Sequence, residues 1–355
     1  MHSNRRYDMD WIRVIAIGLL LVYHVAIGFQ PWGSMIAFIT NSDPWPSLWL
    51  PMSMLNVWRI PLLFLVSGMG VNLALQNRNW KQLLAERSLR ILLPLVFGAL
   101  CIVPLHWLLW QRHHHLPSTY VADLGHLWFL GNIFVYTLLL LPLLVFVKNK
   151  SSKWFGPLRK APSAFVSVLV MVGAFATEAI AFQPRPFELY AFTWHGFALG
   201  MVAFIFGYYF VLVGDSFWRW ASTNRWWFVS AGMALFVLRT FVLETSTPIY
   251  LTSVESAVWI LSVLALGHRY LNRPNRALPY LREAAYPMYI LHMFFLYLGA
   301  MLIFPLPIAA PAKFLLQLVF VLAGCFTCFE IIRRFRLLRL LFGLGWTIRT
   351  KPSKR

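Results

Sequence analysis

The sequence predicts an all-α protein, a polytopic membrane bundle of about ten transmembrane helices, and three observations carry that prediction. Apolar runs of about 20 residues, the length a helix needs to cross a bilayer core, recur from end to end. The 355 residues are 59% hydrophobic and 12% charged, and no stretch between the runs is long enough for a soluble domain. The basic residues fall in alternate loops, the pattern of the positive-inside rule. We read one transmembrane domain over residues 1–332 and a basic cytoplasmic tail over 333–355.

Taken in order, the spans lie near 11–30, 51–75, 88–110, 126–147, 163–182, 195–213, 226–244, 250–268, 286–304 and 312–332. The first follows Arg5 and Arg6, but no small-residue cleavage site follows Phe29-Gln30-Pro31, so it reads as a retained span and not a signal peptide. The second, W-R-I-P-L-L-F-L-V-S-G-M, sets Arg59 about mid-membrane beside a proline that frees backbone carbonyls. The third opens with E-R-S-L-R-I-L-L-P and the fourth with G-H-L-W-F-L. Pro184-Arg185-Pro186 parts the fifth from the sixth, and Arg273-Pro274-Asn275 precedes the ninth. The tenth holds Cys325 and Cys328, read as small packing residues in preference to a redox or metal pair.

Charge sets the orientation. Arg5, Arg6, Arg78, Lys81, Arg87, Arg90, Lys148, Lys150, Lys153, Arg159, Lys160, Arg219, Arg225, Arg269, Arg273, Arg276, Arg282 and the tail from Arg333 all fall on the N-terminal side. The opposite side holds Arg112, Arg185 and Lys313, while Arg13, Arg59 and Arg239 lie within spans. Both termini are therefore expected in the cytoplasm, with an even number of crossings. The net charge of +19 does not point to nucleic acid, because it is spread over short loops. In the tail, R-R-F-R-L-L-R-L-L-F-G-L-G-W spaces its arginines along one helix face, as an amphipathic helix on an anionic inner leaflet would.

The residues that bear on chemistry begin in the first span, D-M-D-W-I-R-V-I-A-I-G-L-L-L-V-Y-H. Arg13 and His24 are eleven apart, close to three helical turns, so they share a face about 16 Å apart. Arg13, following Asp8 and Asp10, lies near enough to the surface to be a snorkelling anchor. His24 is too deep to snorkel. Either it makes a structural hydrogen bond between helices, or its imidazole sits in a water-lined cleft as a general base. Arg87 and Arg90, three apart at the cytoplasmic mouth of the third span, suit bidentate phosphate binding or are topology-setting charge. Arg59 needs an anionic or polar partner. His126 and Trp128 open the fourth span at the outer face, where Trp128 also fits the aromatic belt, and His292 lies about two turns into the ninth. Glu178, Glu244, Glu255 and His195 fall at outer ends of spans and, with His126, suggest an acceptor cleft. The run His113-His114-His115 lacks the accompanying spacing of a metal site, and no metal is expected. No phosphate-binding Gly-rich loop or Gly-x-Ser-x-Gly elbow occurs.

Arg13 with His24, P-L-L-F-L-V-S-G at 61–68 with Ser67, E-R-S-L-R-I-L-L-P at 86–94, H-L-W-F-L at 126–130 and Y-P-M-Y-I-L-H at 286–292 occur in that order. Together the set resembles the membrane acyltransferase 3 family, in particular its glucan biosynthesis protein C branch, over nearly the whole chain. The resemblance implies transfer of an acyl group, acetyl or succinyl, from cytoplasmic acyl-CoA to an extracytoplasmic carbohydrate across a bacterial inner membrane. It implies Arg13 and His24 as the acyl-transfer pair and Arg87 and Arg90 near the CoA phosphates. Asp10, Arg59, Ser67, His126, Trp128, Glu178 and His292 would support them, with Arg59 as a possible oxyanion donor. Many relatives carry an added extracytoplasmic domain, and this chain resembles the membrane-only form. The rival reading is a proton-coupled transporter using His24, Glu178 and Arg59 as a relay, although no internal repeat is detected.

Overall fold

The structure, a computed structural model, describes residues 6–149 and 164–345. The basic positions Arg5, Lys150, Lys153, Arg159 and Lys160 and the tail beyond Gly345 lie outside the described residues, and the side chain of Lys148 is likewise not described. Every regular element among the described residues is helical. Among the described residues, ten helices are long and apolar enough to cross a membrane: α1 (Tyr7–Ile27), α2 (Pro46–Asn77), α3 (Trp80–His113), α4 (Gly125–Val147), α5 (Ala164–Phe182), α6 (Trp194–Val213), α7 (Arg225–Ser246), α8 (Ile249–Leu271), α9 (Leu278–Ile303) and α10 (Ala310–Ile332). A short helix, α11 (Arg336–Leu341), follows. The expected polytopic helical fold is the observed one, with spans in the expected order.

The chain groups into two compact units, one of residues 1–16, 53–84 and 135–278, the other of residues 17–52, 85–134 and 279–355.

In the first unit, α2 and α6 approach so closely that only hydrogen fits between them. A Cβ on Gly68 would overlap the carbonyl oxygen of Phe204, and one on Gly207 would overlap that of Leu65. In a bilayer, helices associate by such close backbone packing, because burying apolar surface from lipid gains nothing. Asn72 donates to Tyr208 O at 3.0 Å and fastens the same pair of helices. The carbonyl that Pro61 frees, that of Val57 four residues earlier, accepts from the Tyr190 hydroxyl at 2.8 Å, as the proline in this span requires. Gly68→Leu is expected to cost several kcal/mol, since neither backbone can yield. A thermal-unfolding series in detergent that leaves the variant as stable as wild type would remove this account of the packing.

In the second unit, α3 is not a uniform α-helix. It carries two π segments, Ser88–Leu92 and Gly98–Ile102, each beside a proline-bearing turn. Insertions of this kind re-aim the side chains that follow them. Beyond α3, Gln111 bonds Thr119 twice, at 3.0 and 2.8 Å, and Tyr120 donates to Leu100 O at 2.7 Å, folding the connecting loop back on the helix. Lys313 is buried yet satisfied, donating to Asn41 Oδ1 at 3.1 Å and to Phe304 O at 2.6 Å. The tail helix is only six residues long, and one of its arginines does not face outward. Arg339 is buried and donates to Glu283 Oε1 at 2.9 Å, while Phe342 packs edge-on against Phe97.

Candidate active site

Four histidines from four helices meet in the second unit. His24 comes from α1, His106 from the C-terminal half of α3, His126 from the first turn of α4 and His292 from α9. The His24 and His292 rings stack with centroids 5.0 Å apart and an interplanar angle of 3°. His126 meets His292 edge-on at 5.0 Å, and His106 lies 5.9 Å from His126. His292 is fully buried at 0% exposure.

Hydrogen-bond partners fix the proton positions along this row. His292 Nδ1 lies 2.6 Å from Tyr289 O. A carbonyl only accepts, so Nδ1 carries the hydrogen and Nε2 of a neutral His292 carries the lone pair. That Nε2 lies 2.8 Å from His24 Nδ1, so His24 Nδ1–H is the donor. A neutral His24 then has its lone pair on Nε2. The remaining anchors are backbone as well. His126 Nε2 donates to Ile290 O at 3.1 Å, and the Tyr289 hydroxyl donates to His126 O. Within the row, Tyr289 O, His292 and His24 thus form an oriented hydrogen-bonded series that sets the lone pair of a neutral His24 on Nε2.

At the basic end of α3, Arg87 is half-buried and acts electrostatically on Tyr286, whose hydroxyl is buried without a hydrogen-bond partner. Arg90 is exposed and pairs with Glu86 at 3.3 Å, and the left-handed turn at Gly343 packs against Tyr286 and the Arg90 carbonyl. The π segment that begins at Ser88 separates the settings of the two arginines. On α1, Asp10 and Arg13 are half-buried, nearer the start of the helix that carries His24.

Arg59, Ser67, Glu178, His195 and Glu255 sit in the first unit, and Trp128 in the second. Arg59 is 2% exposed at the break in α2. The Ser67 hydroxyl is taken up by its own helix, donating to Leu63 O at 2.8 Å. Glu178 and His195 pair at 2.9 Å, with His195 Nε2 donating to Phe187 O at 2.9 Å. Glu255, fully buried, is held bidentately by Arg239 at 2.6 and 3.1 Å. Glu255 thus has both oxygens paired, Glu178 pairs through Oε1 while its Oε2 is buried without a hydrogen-bond partner, and His126 belongs to the histidine row. Trp128 packs edge-on against Phe129 at 6.4 Å. A further triad, Arg6, Asp8 and His268, joins α1 to α8, with Asp8 accepting at 2.6 and 3.2 Å.

Sequence reasoning missed His106. The logic that singled out His24, a histidine within an apolar run, applied to it equally, but the neighbouring tryptophans and His113-His114-His115 masked it. Among the described residues, no set of three His, Cys, Asp or Glu side chains converges as metal ligands do.

A family model described as an acyltransferase domain matches residues 6–330 of the chain. No curated protein and no solved structure matches it.

Proposed function

The chain belongs to the acyltransferase 3 family, and from that premise we propose that it moves an acetyl or succinyl group from cytoplasmic acyl-CoA to a hydroxyl of an extracytoplasmic glycan. The reading sets the protein in a bacterial inner membrane, with the basic ends of its spans toward the cytoplasm. The observation that carries it is the His24–His292 hydrogen bond at 2.8 Å, anchored on Tyr289 O, which gives His24 a defined basic nitrogen within a membrane span.

In this mechanism His24 Nε2 takes the proton of the acceptor hydroxyl as that oxygen bonds the thioester carbonyl carbon. The carbon–sulfur bond then breaks, and His24 returns its proton to the leaving thiolate. His292 holds the His24 ring and its tautomer throughout and touches neither substrate. The mouth at Arg87 suits the donor's phosphates, because it sets a guanidinium near the buried, unpartnered Tyr286 hydroxyl, two groups that donate to an anion. Arg13 lies on the same continuous helix as His24, about 16 Å before it, a separation suited to an extended pantetheine arm. Membership in an acyltransferase family leaves the transporter reading without a supporting observation.

The test is acceptor-dependent release of free CoA by the purified protein in nanodiscs, using acetyl-CoA and succinyl-CoA with envelope glycans. Mass spectrometry of the glycans from cells with and without the protein names the group transferred. Absence of CoA release with either donor, together with unchanged glycan masses, removes the proposal. Within it, Arg87→Ala is expected to raise KM for acyl-CoA about 10- to 100-fold, the worth of a charge-assisted hydrogen bond, with much less change in kcat. A fall in kcat alone would place Arg87 outside donor binding.

A further inference from the structure

The C-terminal half of α3 carries a set of buried polar atoms that the protein itself leaves unmade. His106 is 3% exposed, and its Nδ1 has no hydrogen-bond partner. One and four residues on, the indole N–H groups of Trp107 and Trp110 are likewise buried and unpartnered. Position 110 neighbours both 106 and 107 on the helix surface, the His106 and Trp107 rings lie 5.8 Å apart, and the two indoles meet edge-on at 5.7 Å. Across from them His126 donates its Nε2–H to Ile290 O, so its lone pair sits on Nδ1, which is also buried without a partner.

Leaving a buried donor or acceptor unsatisfied costs about 1–3 kcal/mol each, and three such groups lie within five consecutive residues. An aromatic belt does not explain them, because belt tryptophans turn the N–H toward the wet headgroup region.

We propose that His106, Trp107, Trp110 and His126 form the acceptor subsite and bind a neutral sugar ring. The chemistry of the open valences selects that class. The lone pair on His126 calls for a ligand hydrogen, the two indole N–H groups call for a ligand lone pair, and the hydroxyl is the group that supplies both from one atom. A bare anion satisfies the indoles but repels the imidazole lone pair, and a cation does the reverse. Several hydroxyls on one ring fill several of these valences together, and the indole surfaces pack against the ring's C–H faces. The subsite is continuous with the proposed chemistry, because the histidine row runs from His106 to His126, then His292, then His24, with steps of 5.9, 5.0 and 5.0 Å. This inference rests on the acyl-transfer reading for its purpose, but not for its geometry.

The test is saturation-transfer NMR on the intact protein in detergent micelles, titrated with maltohexaose, laminarihexaose and cellohexaose in turn. Binding of at least one to wild type is expected. Trp110→Phe, which keeps an aromatic ring and loses the N–H, and His106→Phe are each expected to weaken it about tenfold, the loss of one hydrogen bond. His106→Asn sets an amide oxygen near the place of Nδ1 and is expected to restore much of the binding. Two results overturn the subsite: no hexasaccharide binds wild type at millimolar concentration, or both Phe variants, eluting as folded monodisperse protein, bind like wild type. Sugar binding without CoA release from either donor would sink the acyl-transfer reading and leave the subsite standing. Acceptor-dependent CoA release with an unaltered acceptor KM in both Phe variants would do the opposite.

Discussion

His24→Ala is expected to abolish acyl transfer while leaving donor binding nearly intact. The substitution removes the base that takes the acceptor proton, a contribution of typically 10²–10⁴ in rate. It also removes the group that returns a proton to the thiolate, so the loss should fall at the upper end of that range. In the proposed mechanism the donor's phosphates, by contrast, bind at Arg87 and Tyr286, on other helices. The expected signature is therefore a kcat reduced about 10³–10⁴-fold, with the Kd of a non-reactive thioether analogue of acyl-CoA moving by less than about threefold. Transfer at near-normal rates by the Ala variant would end the assignment. A Kd that collapses along with kcat would turn His24 into a structural residue, because its loss would then be felt along the length of the helix.

How much of this was readable beforehand follows from what kind of contact each feature depends on. The ten spans were legible because each is a local property, an apolar run ended by proline or charge. The carbonyl freed by Pro61 was legible for the same reason, although its partner, Tyr190, was not. His24 could be singled out from its depth alone, but nothing in the sequence joins it to His292, 268 positions away. Only the packing of α1 against α9 makes that bond. Arg87 and Arg90 were expected to share a setting on α-helical spacing, and a π segment, which has no reliable signature in sequence, gives them different ones. Arg339 illustrates the limit for surfaces: its spacing with the other tail arginines suggested an exposed face, and Glu283 draws it inward. Glu178 and Glu255 looked available by position. His195 pairs with one oxygen of Glu178 and Arg239 with both of Glu255, pairings that depend on which helices become neighbours.

The second large effect concerns a residue that touches no substrate. An isolated neutral imidazole prefers its hydrogen on Nε2, the nitrogen that must be bare for His24 to act as the base. His292 reverses that preference, because its own Nδ1–H is committed to Tyr289 O at 2.6 Å and its Nε2 must accept from His24 Nδ1 at 2.8 Å. His292→Phe keeps a ring in the stack and removes the acceptor, so His24 reverts to the unproductive tautomer and loses its orientation. A loss of about 10⁴ in kcat accompanies the equivalent change where a carboxylate orients a catalytic histidine, and loss of a neutral partner should cost less, about 10²–10³. His292→Gln offers an amide oxygen close to the place of Nε2 and is expected to recover activity to within about tenfold of wild type. The discriminating measurement is the ¹⁵N chemical shift of the His24 ring in the protein labelled at histidine. Wild type and the Gln variant should show an unprotonated Nε2, and the Phe variant a protonated one. Equal activity in the Phe and Gln variants, or an Nε2 signal that ignores the substitution, would reduce His292 to a packing residue. If the shift follows the acceptor at position 292 and kcat follows the shift while both KM values hold, then the base is set by a proton two rings away from any substrate atom.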